Sequence, residues 1–335
     1  MNPDIHKWTD QLRSGDVRAL SRTISIVENR GPGWSELLKA LFPYSGKARV
    51  LGLTGPPGAG KSTLVDQLAR LYRKTENPHF SRTERARNGA TDDKYTVGII
   101  AVDPTSPYTG GAILGDRIRM QEHFSDPGIY IRSMATRGSL GGLARTTADV
   151  ATVLDASGRD LIMIETVGVG QDEVDIARLA GVTILILVPG MGDDVQTIKA
   201  GIMEIADIFV INKSDRDGAD HVEREIRTLQ SLATRHDGWT PPIVKTVASQ
   251  GVGIDELAGA VSNYESYLQK ENLALNRSAE HWQGRLVEML RDTLLEKARA
   301  QLDDGNLARL AAEVAEHKRD PYTLVEEIAA KAGKS

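Results

Sequence analysis

The apolar run Val50-Leu51-Gly52-Leu53 passes through Thr54 into Gly55-Pro56-Pro57-Gly58-Ala59-Gly60-Lys61-Ser62, with Thr63 next. This is the pattern G-x-x-x-x-G-K-[ST], set after a predicted strand and before a predicted helix over Ser62–Tyr72. The glycines let the backbone wrap closely around a polyphosphate, with successive N–H groups pointing inward. Lys61 is expected to reach the β- and γ-phosphates, and the Ser62 hydroxyl to bind Mg²⁺. The positive end of the following helix faces the same anion. The expected ligand is a nucleoside triphosphate.

The order of elements around this loop points to an α/β fold. Apolar, largely β-branched runs occur at Val50–Leu53, Val97–Val102, Ile129–Arg132, Leu161–Ile164, Ile184–Val188, Ile208–Ile211 and Ile243–Val247. Near-continuous apolar strands separated by helical stretches predict a mostly parallel central sheet with helices on both faces. Ligands in such sheets bind at the carboxyl ends of the strands. Before the sheet, Val17, Leu20, Ile24 and Val27 predict an amphipathic helix over Asp16–Asn29, ended by Gly31-Pro32-Gly33, and a shorter helix covers Ser35–Leu41. Residues 74–95 are polar, mixed in charge and without period, and read as a surface excursion. Beyond residue 267 the chain reads as helix, with apolar stripes at Trp282, Leu286, Met289, Leu290 and Leu294 and at Leu307, Leu310, Ala311 and Val314. The expected organisation is an N-terminal helical extension (1–47), a nucleotide-binding domain (48–266) and a C-terminal helical arm (267–335). The stripes must pack on either the main domain or a second subunit, and a homodimer arm is the expectation.

Composition narrows the function classes. The net charge of −5 over 335 residues gives no support for nucleic-acid or acidic-lipid binding. With no cysteine, disulfides, zinc–thiolate sites and thiol chemistry are excluded. The first residues lack a basic head and an apolar signal core, and no apolar run approaches spanning length, so no membrane association and a cytoplasmic location are expected.

The choice of base follows from the run Ile208–Ile211, which leads into Asn212-Lys213-Ser214-Asp215. In this N-K-x-D sequence the Asp215 carboxylate suits the N1–H and 2-amino donors of guanine. Adenine would leave that carboxylate unpaired, at about 1–3 kcal/mol. Asn212 is expected to brace the loop and the base edge, and the Lys213 stem to lie over the base plane. Ala248, in Thr246-Val247-Ala248-Ser249, is expected to turn its N–H to the base oxygen. GTP and GDP are thus the expected nucleotides.

Further segments carry a resemblance. Val102-Asp103-Pro104-Thr105-Ser106 ends a strand, and Gly110-Gly111-Ala112-Ile113-Leu114-Gly115-Asp116 follows. Glu165-Thr166-Val167-Gly168-Val169-Gly170-Gln171 ends another, and Arg137-Gly138-Ser139-Leu140-Gly141-Gly142 lies between. From about residue 16 to about residue 325, including Asp320-Pro321-Tyr322, the chain resembles the methylmalonyl-CoA-mutase-associated GTPases of the MeaB/ArgK type. The resemblance implies a first switch around Asp116 and a second at Glu165–Gln171, including Gly168. A third mobile loop is implied at 189–201, where Lys199 is either an interface ion-pair partner or a solvated lysine. Asp103, Asp116 and Glu165 are carboxylates suited, with Ser62, to Mg²⁺, which prefers hard oxygens. Together with Lys61 they are the expected catalytic groups. Gln171 is a weaker candidate for orienting water, and Arg119, Arg132, Arg137 and Arg145 all stay open as an arginine finger. Departures from the family pattern are Asp172 and Val247, each in place of a usual serine, and Met191 with Asp193-Asp194 in the third loop. They bear on the partner more than on the nucleotide.

By resemblance, the expected function is slow, partner-stimulated GTP hydrolysis that gates adenosylcobalamin loading and protects or reactivates a B12-dependent acyl-CoA mutase. The competing reading is a kinase of the amino-acid-transport type. A metal-insertion GTPase fits poorly, because the chain lacks a Cys/His-rich segment.

Overall fold

The computed structural model describes residues 5–74, 95–103, 123, 125–135, 142–166, 179–190, 205–232, 235, 237–300, 302 and 304–332. The excursion expected at 74–95 therefore lies almost wholly outside the described residues. So do Asp116, Gly168, Gln171, Arg119, Arg137 and Lys199.

Each of the seven expected strands is present: β1 (Arg49–Thr54), β2 (Val97–Asp103), β3 (Ile129–Ala135), β4 (Leu161–Glu165), β5 (Val182–Leu187), β6 (Ile208–Asn212) and β7 (Ile243–Thr246). They form one sheet in the order β3-β2-β4-β1-β5-β6-β7. Every pairing in it is parallel. The chain leaves β1 for β2 on one side and returns to β5 on the other, so the order reverses beside the loop that follows β1. In open parallel sheets that reversal creates the ligand crevice.

Side-chain alternation divides the strands between two covered faces. Leu51, Leu53, Ile99, Met163, Ile184, Ile186 and Val210 pack with Leu64, Leu68 and Tyr72 of α4 (Lys61–Arg73) and with Leu257, Val261 and Tyr264. On the other face, Ile100, Val102, Ile162 and Ile164 meet Leu20, Ile24 and Val27 of α2 (Val17–Glu28). Val150, Val153 and Leu154 of α5 (Gly142–Ala156) belong to the same cluster. Further along this face, Leu185, Leu187, Phe209 and Ile211 meet Val222 and Ile226 of α6 (Ala219–Leu232). The residues Leu257–Tyr264 lie on α7 (Ile254–Lys270).

The N-terminal helices are part of this cover. Asp16 caps α2, accepting from the amides of Arg18 at 2.7 Å and Ala19 at 3.1 Å, which leaves fewer first-turn donors unmet. A helix α1 (Ile5–Arg13), not read from the sequence, precedes it and buries Thr9 and Leu12. The short helix α3 (Trp34–Leu41) buries Leu37 and Leu41.

The chain divides into two compact units, Met1–Ala274 and Leu275–Ser335. α8 (Leu273–Ala300) runs across that division, and α9 (Asp304–Ala315) and α10 (Pro321–Ala332) complete the second unit. At the start of α10, Asp320 accepts from the Thr323 amide at 2.8 Å and Pro321 takes the first helical position, where its missing N–H costs nothing. Among the described residues no helix is long and apolar enough to cross a membrane.

Candidate nucleotide site

The site assembles from the carboxyl ends of β1, β4, β6 and β7. At the end of β1, Gly55 takes φ +144° and a Cβ there would come within 2.2 Å of the Ile186 carbonyl oxygen, so only glycine fits. Gly60, at φ +89°, precedes α4 with no side-chain cap. The glycine places no capping side chain over the first turn of α4, and a helix N-terminus suits an anion. A Cβ on Gly60 would meet the Asn212 side-chain nitrogen at 2.4 Å.

Lys61 is buried, and its ammonium donates to the carbonyls of Gly55 at 2.8 Å and Pro56 at 3.0 Å. The positive charge thus sits on the loop itself. One residue on, the Ser62 hydroxyl donates to Glu165 Oε1 at 2.6 Å, and both residues are buried. This contact joins the phosphate-loop helix to the end of β4, across 103 residues of sequence. Thr63, half-buried, follows on the helix.

The base side is organised by Asn212, which is 2% exposed. Its Nδ2 donates to the Ala59 carbonyl at 2.8 Å, while its Oδ1 accepts from Thr246 Oγ1 and from the Ala248 amide, both at 3.1 Å. Both ends of the amide are therefore engaged with protein, and Asn212 links the phosphate loop to the strand end that carries Ala248. Lys213 adopts φ +56° and its ammonium donates to Gly58 O at 2.8 Å, so its stem crosses above the same loop. Asp215 lies two residues further, exposed to solvent.

The expected residues Gly55, Pro56, Pro57, Gly58, Ala59, Gly60, Lys61, Ser62, Thr63, Glu165, Asn212, Lys213, Asp215 and Ala248 thus lie on neighbouring strand ends. Asp103 ends β2, whose residue Ala101 pairs with Glu165; its side chain, like Asp116 and Gly168, lies outside the described residues. The Ala248 amide faces Asn212 Oδ1 here, whereas the sequence reading turns it to the base. Of the arginines considered, Arg132 pairs with Glu28 of α2, and the Arg145 guanidinium lies 5.8 Å from the Trp34 ring.

The sequence reading does not single out Thr246, fully buried and bonded to Asn212, or Thr54 and Thr166, whose hydroxyls meet at 3.2 Å. Each is a hydroxyl at the end of an apolar strand, where a polar residue heading inward must find a partner.

A glycine-rich loop before a helix N-terminus, a lysine held on that loop, a paired hydroxyl and carboxylate, and a second loop braced by Asn212 make a site suited to a guanine nucleotide and its terminal phosphate. Comparisons with known proteins agree. A family profile described as "Methylmalonyl Co-A mutase-associated GTPase MeaB" matches residues 20–78 and 81–303. A Pyrococcus abyssi protein named as a GTPase is 44% identical over 327 residues, covering 97% of this chain and 95% of its own. The mouse protein named methylmalonic aciduria type A homolog, mitochondrial, is 36% identical over 307 residues, covering 84% of this chain and 70% of its own. A crystal structure of a protein named LAO/AO transport system kinase superposes with a TM-score of 0.68 at 26% identity over 98% of each chain. The chain belongs to the methylmalonyl-CoA mutase-associated GTPase family of the MeaB type, and is a phosphate-loop enzyme that hydrolyses GTP.

Proposed function

We propose that this GTPase is a timed chaperone in the cytoplasm. It would gate adenosylcobalamin loading of a B12-dependent acyl-CoA mutase and protect or reactivate that enzyme. The observation that carries the reading is the buried Ser62–Glu165 contact at 2.6 Å, within a family named for its mutase association. It ties the phosphate loop to the strand end that opens the Glu165–Gln171 segment. A change at the terminal phosphate is thereby felt on two strands at once.

In this reading the loop amides and the first turn of α4 hold the phosphates. Lys61 exchanges its two carbonyl partners for β- and γ-phosphate oxygens, and Asp215 accepts from guanine N1–H and the 2-amino group. The buried hydroxyl of Ser62 and carboxylate of Glu165 are hard oxygens that fit Mg²⁺, with Asp103 and Asp116 as the remaining candidates. When bound, the ion would offset charge on the β- and γ-phosphate oxygens. Water attacks the γ-phosphorus in line with the bond to the bridging oxygen, which breaks and leaves GDP and phosphate. Glu165 helps to place that water. Turnover is slow until the client binds. Dimerisation through the apolar face of α8 is part of the same proposal, supported by the exposure of Leu286, Leu290 and Leu294.

The test is affinity capture from native extract on the immobilised full chain, with a non-hydrolysable GTP analogue and with GDP. A B12-dependent mutase subunit retained in a nucleotide-dependent way, and one that raises GTP turnover when purified, supports the proposal. Capture of a membrane transporter or a hydrogenase precursor in its place overturns it. The solved relative named as a transport-system kinase keeps a kinase reading in view, but the Pyrococcus abyssi relative, which spans almost the whole chain, is named a GTPase. γ-Labelled GTP separates the two: label released as free phosphate supports hydrolysis, and label on an acceptor supports the kinase.

A further inference from the structure

The last paired rung between β1 and β4 is Leu53 with Glu165. One residue further on, Thr54 and Thr166 face each other. The Thr166 hydroxyl donates to Thr54 Oγ1 at 3.2 Å, and the Thr166 amide donates to Leu53 O at 3.1 Å. These threonines are 1% and 2% exposed, respectively. By strand alternation they lie on the face of the sheet away from α4, while Glu165 points to Ser62 on the α4 face. The ladder is thus closed from behind at the residue after the carboxylate and the residue before Gly55.

We propose that the Thr54–Thr166 hydroxyl pair is a positioning device that holds the Glu165 carboxylate against Ser62 and so sets the divalent-cation affinity of the nucleotide site. The inference rests on the reading of Ser62 and Glu165 as the metal-side oxygens. The physical reason is reach. A 2.6 Å contact does not survive a displacement of about 1 Å, and a strand end past its last ladder bond frays unless something holds it. The Thr166 amide and hydroxyl supply two bonds to β1 at that point. Both threonines act through Glu165, the residue next to Thr166 and opposite Leu53 in the ladder.

The experiment uses the full chain with Thr54→Val, Thr166→Val, both together, Thr166→Ser and Glu165→Gln. A fluorescent non-hydrolysable GTP analogue is titrated in EDTA and across a range of Mg²⁺. Mn²⁺ binding by electron paramagnetic resonance gives a readout independent of turnover, and thermal unfolding is followed in parallel. A single valine strands one buried hydroxyl, whereas the double variant replaces two mutually satisfied hydroxyls by methyl groups and keeps the fold. The folded double variant is expected to need about tenfold more Mg²⁺ and to bind Mn²⁺ correspondingly more weakly, the scale of one lost well-placed hydrogen bond. Its affinity in EDTA should match wild type, and Thr166→Ser, which keeps the hydroxyl, should keep the wild-type Mg²⁺ midpoint. Glu165→Gln should raise the Mg²⁺ requirement at least as far. A wild-type Mg²⁺ midpoint in the double variant beside a shifted Glu165→Gln overturns the positioning role alone. A wild-type midpoint in Glu165→Gln overturns the metal-side reading and the inference with it. Loss of affinity already in EDTA, a serine variant that behaves like valine, or a double variant that cannot fold assigns the hydroxyls to packing and overturns the proposal.

Discussion

Asn212 shows how one side chain ties the parts of a site together. Its amide satisfies the Ala59 carbonyl, the Thr246 hydroxyl and the Ala248 amide, all in the interior. Truncation to alanine leaves three polar groups unmet, each at about 1–3 kcal/mol before relaxation. Asn212→Ala should therefore lower guanine-nucleotide affinity at least tenfold by calorimetry, with kcat at saturation less affected. The role proposed for Asp215 is separate and concerns identity of the base. Asp215→Asn replaces an acceptor with a donor, so GTP affinity should fall and xanthosine triphosphate affinity rise in competition binding. Unchanged preference would remove Asp215 from the base pocket. Residue identities at this scale were legible, because the motifs fix spacing along the chain. Partners were not: nothing local in Asn212-Lys213 points to Ala59, Gly58 or Thr246.

At the scale of elements, α4 carries more than the phosphate loop. Asp66 lies one turn beyond Ser62 and accepts from His123 at 2.6 Å and Arg70 at 3.0 Å, while Arg73 clamps Asp126 at 2.6 Å. Burial alone would raise the Asp66 carboxyl, but the hydrogen bond from His123 and the neighbouring charge of Arg70 outweigh it, and its pKa is lowered. A carboxyl depressed in the folded state lends stability above its unfolded value of about 4, and that stability is lost as pH falls through the lower folded value. Asp66→Asn should then flatten the loss of stability between about pH 5 and pH 3 in denaturant titrations. The cap of α2 gives a second test. Asp16→Ala removes two amide partners and should cost about 1 kcal/mol, read as a fall of about 2 °C in Tm. The helix over Asp16–Asn29 was legible from its apolar spacing and this cap. α1 was not, because nine residues make a marginal helix that tertiary contact must hold, here through Leu12 at 1% exposure. The strands were legible as runs, with ends displaced by up to three residues: β3 runs on to Ala135, and β5 starts at Val182 and stops at Leu187.

For the whole molecule, the open matter is what covers the second unit. Leu286, Leu290 and Leu294 stand at 58%, 60% and 47% exposure along α8. Spacing of four places them on one exposed apolar stripe of a 28-residue helix, the face through which dimerisation is proposed. On the proposal that this stripe joins two copies, wild type should sediment as a dimer and Leu290→Glu as a monomer in analytical ultracentrifugation, with the GTP affinity of the first unit unchanged. A Leu290→Glu variant that keeps dimeric mass would place the dimer contact elsewhere, and a monomeric wild type would end the proposal.

The sequence by itself determined the strand–loop–helix that binds phosphate, the α/β class and the guanine-reading motif, since each depends on residues within a few positions of one another. Local stereochemistry and periodicity are enough for that. Only the tertiary structure decided that β4 and β5 flank β1, and hence that Glu165 reaches Ser62, Thr166 meets Thr54 and Gly55 lies beneath Ile186. Strand order is settled by which apolar faces pack together across the whole sheet. An alternation that repeats in every strand carries no label for its neighbour.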